Sequence, residues 1–246
     1  MRKKAIQNIK IADIHCHILP GLDDGPRDME ETLDMLAIAR DEGIHHMIAT
    51  PHYKAGHKNA GTKTIRQRLS EVEQIAKSRG IDVKLYPGNE VLFFSDIENK
   101  LEKGQIMTMN DTEYVLLEFL PNNDYTYIRN ALDCVRGMGY SPIVAHIERY
   151  DCMIRHPEFV KELHDMGMDI QVNAASITGE AGRKSKLFVH KLLKQELVDF
   201  VSTDAHKRSG RAPRIRKCAE ELYKKYNSTY INTILYENAK TKLLRG

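Results

Sequence analysis

The chain has 246 residues, of which 41% are hydrophobic and 29% charged, so it is large enough to enclose a full hydrophobic core. Its 37 basic and 34 acidic residues nearly balance, at a formal charge of +3, which argues against a duplex-DNA binder with a basic domain or stripe. No apolar stretch approaches about 18 residues, and the four cysteines form no C-x-x-C pair. We therefore expect a cytoplasmic protein with no nucleic-acid partner and no membrane insertion.

Short apolar runs alternate with amphipathic helical segments along the whole chain. The runs predict strands over residues 9–14, 46–50, 83–86, 114–119, 142–145, 169–172 and 198–202. Apolar residues three and four apart, with several glycine stops, predict helices over 30–42, 63–79, 95–103, 127–138, 157–166, 184–194 and 213–226. Seven strand–helix units in series indicate an α/β fold with a parallel sheet, and at this length a closed TIM-like (β/α)7 barrel in a single domain.

The first predicted strand leads into His15-Cys16-His17, and Asp23 and Asp24 follow after one short loop. Because side chains alternate along a strand, the two histidines point to the same side. Imidazole nitrogens and carboxylate oxygens together form sites for divalent metal ions. The spacing does not choose between Asp23 and Asp24 as the ligand. Cys16 points to the opposite face and is predicted to be a buried apolar residue.

Six of the seven predicted strands carry a histidine or an acidic residue at the C-terminal end. Barrel enzymes build their active sites at this face, from residues of several different strands. With Asp24 taken after the first strand, the nine candidate ligands are His15, His17, Asp24, His52, Glu90, Glu118, His146, Asp204 and His206. A catalytic metal uses three or four protein ligands, so nine predict two or three metal ions.

The remaining ionisable candidates are predicted to have ordinary structural roles. Glu148 could be a ligand, but its neighbour His146 is better placed at the strand end. The other histidines lie in helices, in loops or at strand starts: His45, His46, His57, His156, His164 and His190.

Five motifs resemble those of the polymerase-and-histidinol-phosphatase superfamily. They are H-C-H-I-L-P-G-L-D-D-G-P at 15–26, A-T-P-H at 49–52, P-G-N-E at 87–90, H-I-E-R at 146–149 and S-T-D-A-H at 202–206. Within it they are most similar to the manganese-dependent protein-tyrosine phosphatases of bacterial capsule and exopolysaccharide gene clusters. The resemblance covers residues 11–246 as one domain and leaves residues 1–10 as an N-terminal extension, which we expect to be flexible.

The resemblance implies a distorted barrel of seven βα units with a trinuclear metal centre. Carried over motif by motif, it implies the same nine ligands and selects Asp24 over Asp23. By the same resemblance Arg149 and Arg211 bind the phosphate. The cofactors would be two or three divalent ions, with manganese expected first and iron or zinc as the other choices. His206 or a metal-bound water would supply the proton to the leaving group.

The implied enzyme is a phosphoric monoester hydrolase of the protein-tyrosine-phosphatase class. Its partner would be the phosphotyrosine tail of a membrane-associated tyrosine autokinase that controls polysaccharide synthesis and export. The phosphatase would then act in the cytoplasm, at the inner face of the membrane through that kinase. A cysteine-dependent mechanism is excluded, because its C-x5-R loop needs an arginine six positions after a cysteine and this chain has none.

Two other functions stay open at this point. One is a small-molecule phosphoesterase with the same metal set, such as a histidinol-phosphate phosphatase. The other is a metal-binding module without catalysis, which the complete ligand set argues against. The long first motif favours the tyrosine phosphatase, and the modest net charge weakens a nuclease interpretation.

Overall fold

The computed structural model describes residues 9–245, where strands and helices alternate. The strands in this range are β1 (Ile11–Cys16), β2 (Ile44–Ala49), β3 (His52–Tyr53), β4 (Lys84–Pro87), β5 (Glu90–Leu92), β6 (Tyr114–Glu118), β7 (Ser141–Val144), β8 (Asp169–Asn173) and β9 (Phe200–Ser202). The α-helices are α1 (Met29–Glu42), α2 (Thr62–Ser78), α3 (Ile97–Glu102), α4 (Tyr125–Gly137), α5 (Asp151–Arg155), α6 (Glu158–Asp165), α7 (Ala174–Thr178), α8 (Arg183–Lys194), α9 (Arg216–Lys225), α10 (Ser228–Asn232) and α11 (Asn238–Lys242). Residues 1–8 of the predicted N-terminal extension lie outside the described residues.

All strand pairs among residues 9–245 are parallel. The strand orders are β1-β2-β4 and β3-β5-β6-β7-β8-β9. A bridge between Cys16 and Ala205 brings the end of the last strand back to the first, with His17 N donating to Ala205 O at 2.8 Å. The strands thus curl into a ring in chain order, which confirms the predicted distorted (β/α)7 barrel.

Two of the seven predicted strands, 46–50 and 83–86, are each followed after a short break by a second strand that was not predicted, β3 after β2 and β5 after β4. Pro51, in the first break, has no backbone N–H to donate to a ladder. In the second break, Asn89 Nδ2 donates to Pro51 O at 2.8 Å, and Asn89 Oδ1 accepts from Met107 N at 2.9 Å. Beyond the breaks, His52 and Glu90 lie in register as neighbours in β3 and β5. The breaks therefore place two of the predicted ligands side by side.

Gly88 leaves little room for a side chain at the second break. A Cβ there would lie 3.0 Å from Cγ2 of Ile48 and 3.2 Å from Sδ of Met109. Both neighbours are buried and would have to shift by a few tenths of an ångström, so a glycine allows the closest packing at this point.

The apolar residues form two clusters. The larger joins the strands to the surrounding helices, and the smaller fills the ring of strands. The smaller consists of Ala12, Ile14, Ile48, Tyr86, Met109, Leu116, Ile143, Ala145, Phe200, Ala239 and Leu243. Because Ala239 and Leu243 belong to the last described segment, the end of the chain helps to fill the barrel.

Helices longer than one 3₁₀ turn exceed the prediction at three places: α5, α7 and the segment 228–242, in which a π-helical turn joins α10 to α11. Isolated helices this short are marginal in water, so their sequences carry little helical signal and tertiary packing stabilises them. α10 has one local signal, because the Asn227 side chain caps it by accepting from Thr229 N at 2.8 Å. The predicted helix 213–226 begins later, at Arg216.

Candidate metal centre

The nine predicted ligands converge at the C-terminal ends of the strands. They form four overlapping sets whose candidate ligand atoms lie within 4.8 Å of one another. The sets are His17, Asp24, His52 and His206; His15, Glu90 and His146; His15, His17 and Asp204; and His52, Glu90 and Glu118. Because the sets share members, the nine residues form one continuous cluster that offers more than one group of potential ligands. Glu148 and the six histidines that were predicted to have structural roles belong to none of these sets.

Several buried atoms of the cluster make no well-directed hydrogen bond within residues 9–245: Nε2 of His15, Nε2 of His17, Nδ1 of His52 and Oε2 of Glu90. They lie against one another instead, with Glu90 Oε2 2.8 Å from His52 Nδ1 and 3.3 Å from His17 Nε2. Buried polar atoms are nearly always hydrogen-bonded, so this convergence of ring nitrogens and a carboxylate fits a cation that they share. Imidazole and carboxylate donors suit Mn²⁺, Fe²⁺ and Zn²⁺. The residues present therefore fit a group of divalent cations.

Asp23 and Asp24 have different positions in the cluster. Asp23 Oδ2 lies 2.6 Å from Nδ1 of His17 and accepts from the backbone N of His52 at 3.0 Å. This contact fixes the His17 ring with Nε2 turned into the cluster, as a carboxylate typically does behind a metal-binding histidine. Asp24 is more exposed, and its Oδ1 lies 3.4 Å from Nε2 of both His52 and His206. Asp24 thus stands among the candidate ligands, and Asp23 behind one of them.

Gly25 allows the loop to close behind His17. A Cβ at this position would lie 2.5 Å from the His17 carbonyl oxygen. A distance that short is not tolerated between real atoms, so only glycine lets the Asp23 loop approach the strand end.

Strand β8 contributes amides to the site, which the sequence analysis missed. Gln171 Oε1 lies 3.2 Å from Nδ1 of His15 and accepts from the backbone N of His146 at 2.7 Å. Asn173 Oδ1 accepts from Gln171 Nε2 at 2.9 Å, and Asn173 Nδ2 donates to Asp204 Oδ2 at 3.0 Å. Both amides are buried and orient residues of the cluster. Their signal in the sequence is the alternation of polar Asp169, Gln171 and Asn173 with apolar Ile170 and Val172 along the strand.

The pKa values show how strongly the carboxylates attract positive charge. Burial opposes protonation of His17, but its contacts with Asp23 and Glu90 outweigh burial and raise its pKa to about 10. Neighbouring carboxylates likewise overcome burial and raise the pKa of His146 to about 9. Burial and the nearby His17 lower the pKa of His206 to about 4. A site that stabilises protons this well also favours divalent cations, which compete for the same nitrogens.

Two residues of the cluster have left-handed backbone conformations, His146 with φ of 32° and Asp204 with φ of 51°. Such a conformation is uncommon for residues other than glycine and costs of order 1–3 kcal/mol. Hydrogen bonds hold both in place, because Gln171 accepts from the His146 backbone N and the His15 carbonyl accepts from the Asp204 backbone N at 2.8 Å. Strained backbone of this kind concentrates at functional sites.

Arg149 and Arg211 lie at the rim of the cluster on either side of Asp204. Arg149 Nη2 contacts Asp204 Oδ2, and Arg211 Nη2 lies 2.8 Å from Asp204 Oδ1. The two side chains are 40% and 48% exposed, so they also face solvent. Each uses only Nη2 in its side-chain hydrogen bonds to the described residues. The remaining N–H groups of each guanidinium can bind an anion at the rim.

A parallel barrel whose strand ends gather histidines and carboxylates is the architecture of a barrel enzyme with its site at the usual face. The family described as "Capsular polysaccharide synthesis, CpsB/CapC" matches residues 11–245. The chain belongs to this CpsB/CapC family. No helix within residues 9–245 has the length and apolarity needed to cross a membrane.

The relatives of the chain extend over nearly its whole length. It is 31% identical over 233 residues to the tyrosine-protein phosphatase CpsB of Streptococcus pneumoniae. This alignment covers 93% of this chain and 96% of the relative. It is also 31% identical over 231 residues to the tyrosine-protein phosphatase YwqE of Bacillus subtilis (strain 168), covering 94% and 91%. A solved structure from work on YwqE of Bacillus subtilis and CpsB of Streptococcus pneumoniae, "unique metal-dependent tyrosine phosphatases", superposes with a TM-score of 0.89 at 30% identity. It covers 95% of this chain and 94% of that one.

Proposed function

We propose that this chain is a metal-dependent protein-tyrosine phosphatase. The observation that carries the proposal is the cluster of nine histidines and carboxylates with unpaired buried atoms, next to two arginines at its rim. Membership of the CpsB/CapC family and the names of the relatives support the substrate class.

The nine clustered residues hold two or three divalent ions in this proposal, with manganese as the first choice and iron or zinc as alternatives. Four of the nine residues belong to two sets each: His15, His17, His52 and Glu90. This sharing places the candidate ligand sets side by side. A neutral imidazole offers one free nitrogen, so each histidine would serve one cation, whereas the two oxygens of Glu90 could serve two. When bound, such ions lower the pKa of a bound water to about 7 and stabilise the oxygens of a phosphoryl group in an in-line displacement.

Arg149 and Arg211 bind the phosphoryl oxygens. Neither can be a metal ligand, because a guanidinium has no free acceptor at neutral pH. Their planar donors match the equatorial oxygens and stabilise the charge that shifts during the reaction. Asp204 holds both guanidinium groups at the rim through its two carboxylate oxygens.

His206 is a candidate both as a metal ligand and as the proton donor to the leaving group, and it cannot be both at the same time. Its Nδ1–H donates to the Asp204 carbonyl oxygen at 2.9 Å, so Nε2 is the nitrogen that faces Asp24 and the cluster. A ring whose Nε2 binds a cation has no proton to give, and the lowered pKa of His206 points the same way. We therefore favour the ligand role. A phenol with a pKa of about 10 leaves with little protonation, so the reaction tolerates a weak acid.

The physiological substrate in this proposal is the phosphotyrosine tail of a membrane-associated tyrosine kinase that regulates capsular or exopolysaccharide synthesis. The enzyme acts in the cytoplasm and reaches the membrane face through that kinase. The capsular role of the family supports this context. Histidinol phosphate is the competing substrate.

The test compares three substrates before and after metal removal. We expect hydrolysis of a phosphotyrosine peptide that stops in excess EDTA and returns with Mn²⁺, with little activity on a matched phosphoserine peptide or on histidinol phosphate. Elemental analysis of protein purified without chelator gives the metal and its stoichiometry. Full turnover after dialysis against EDTA would exclude the metal mechanism, and a preference for histidinol phosphate would exclude the tyrosine phosphatase.

A further inference from the structure

A cavity of about 660 Å³ opens beside the metal centre. Arg149, Asp204 and Arg211 form the wall that it shares with the centre, and its lining also includes Lys184 of α8 and Arg214 just before α9. Cavities of this size accommodate drug-sized ligands, so a phosphate at the two arginines fills only part of it. The cavity has room for the residues next to a phosphotyrosine.

The basic residues of this cavity differ in their partners. Arg149 and Arg211 are paired with Asp204. Lys184 and Arg214 form no ion pair within 4.0 Å and no side-chain hydrogen bond with any residue in the described range 9–245. The acidic residues Asp151 and Glu180 do not fill this gap, because each lies within 3.7 Å of a basic residue outside the cavity. Two cations are therefore free to contact an anionic group that enters.

Glu148 adds a buried acceptor to the same cavity. Its side chain is nearly inaccessible, at 2% exposure, and its Oε1 accepts from the backbone N of Asn173 at 2.9 Å. Its Oε2 is buried and has no hydrogen-bond partner among the described residues. A buried carboxylate oxygen left unpaired is costly, so this position calls for an N–H donor from a ligand. The backbone amide of an extended peptide is such a donor.

We propose that this cavity is a subsite for the peptide flanking the phosphotyrosine, and that it selects a second anionic group through Lys184 and Arg214. Glu148 accepts a backbone N–H of the same peptide segment. The inference rests on the proposed function and specifies the substrate further. The second group is either a carboxylate or another phosphate, because both offer oxygen acceptors to these donors.

The experiment measures kcat/KM of the Mn²⁺-loaded enzyme on phosphotyrosine peptides that differ in one flanking residue. That residue is glutamine, glutamate or a non-hydrolysable phosphotyrosine analogue, placed in turn at each neighbouring position. We expect glutamate to raise kcat/KM over glutamine about two- to fivefold per contacting cation at the position that reaches the subsite, the effect of a partly exposed ion pair. A larger rise with the analogue than with glutamate would identify a second phosphate as the preferred group.

Variants then locate the preference. We expect Lys184→Ala and Arg214→Ala each to lower the acidic-to-neutral ratio of kcat/KM, and the double variant to bring it close to one. Lys191→Ala is the matched control, because it removes the same charge from exposed surface of α8 outside the cavity. Circular dichroism spectra establish that the variants are folded.

The outcomes separate the two proposals. A ratio near one at every position, with the phosphotyrosine still hydrolysed, overturns the subsite and leaves the proposed function intact. An equal loss of preference in Lys191→Ala also overturns the subsite, because the effect then belongs to the overall charge. If no phosphotyrosine peptide is hydrolysed at all, both proposals fail.

Discussion

The interior of the barrel and its C-terminal rim rest on the same strands but have opposite chemistry. In the interior, Ala12 and Ile14 of β1 pack with Phe200 of β9 and with Leu243. A few residues further along, the same strands lead to histidines and carboxylates, several of whose buried atoms lack partners in the described chain. Burial of apolar groups stabilises the fold, whereas unpaired buried polar atoms cost free energy unless a ligand binds. The comparison indicates that stability and binding are located in separate layers of one barrel.

Removing a residue of the rim tests the separation of the two layers most directly. We expect His17→Ala to abolish hydrolysis of a phosphotyrosine peptide while the protein keeps its fold, since the ring belongs to two of the candidate ligand sets. Asp204→Ala should do the same. Steady-state assays and thermal unfolding on the same preparations decide the matter. His45→Ala, at an exposed histidine outside all sets, is the control. If both rim variants fail to yield folded protein, these residues are structural.

The arginines at the rim should give a smaller loss of a different kind. We expect Arg149→Ala and Arg211→Ala each to lower turnover by about 10²–10³, the effect of one lost donor in an oxyanion site. Metal content should stay full, because removing a guanidinium leaves Asp204 more negative and favours cations. Kinetics and metal analysis on one preparation test both points.

Arg208→Ala is the matched control for the arginines, because this exposed arginine lies in the same loop and pairs with Asp34. It should keep normal turnover. Loss of metal from either rim variant, or normal hydrolysis by it, contradicts the phosphate-binding role of that arginine.

The amides of β8 connect the rim to the barrel wall, and their loss should have an intermediate effect. We expect Gln171→Ala to weaken metal affinity by about 10–100-fold, because Gln171 orients His15 and the His146 backbone. Excess Mn²⁺ should restore much of the activity. Gln171→Glu keeps an acceptor at the same position and should lose less. A titration of activity against Mn²⁺ measures the shift, and an unchanged half-saturation point in Gln171→Ala would rule out this positioning role.

The rim could be predicted from sequence more completely than its supports. His15, His17 and Asp204 stand at strand ends, and their residue types carry a recognisable ligand chemistry. The sequence did not single out Gln171 and Asn173, because amides are neither titratable nor typical metal ligands. In a single sequence they look like any other polar residues of a strand. The fold was predictable to the level of seven βα units, since apolar periodicity reports burial directly.

The details that sequence reasoning missed depend on tertiary contacts. The strand breaks at Pro51 and Gly88 turn His52 and Glu90 toward each other through a hydrogen bond between distant loops, from Asn89 to Pro51. The short helices α5, α7 and α10 form where packing supports them. Neither feature leaves a periodic pattern of its own in the chain.

The interior gives the converse prediction, with the smallest effect on catalysis. Leu243 is fully buried in the smaller cluster. We expect Leu243→Ala to lower the free energy of unfolding by about 2–5 kcal/mol through lost transfer free energy and a cavity. Leu187→Ala removes the same atoms from a side chain that is 62% exposed and should change stability little. Below its unfolding transition, Leu243→Ala should keep normal metal content and kcat, because Leu243 belongs to the apolar cluster and to none of the candidate ligand sets. Denaturant unfolding and kinetics on folded protein test this, and a metal-deficient Leu243→Ala protein would show that the two layers are coupled.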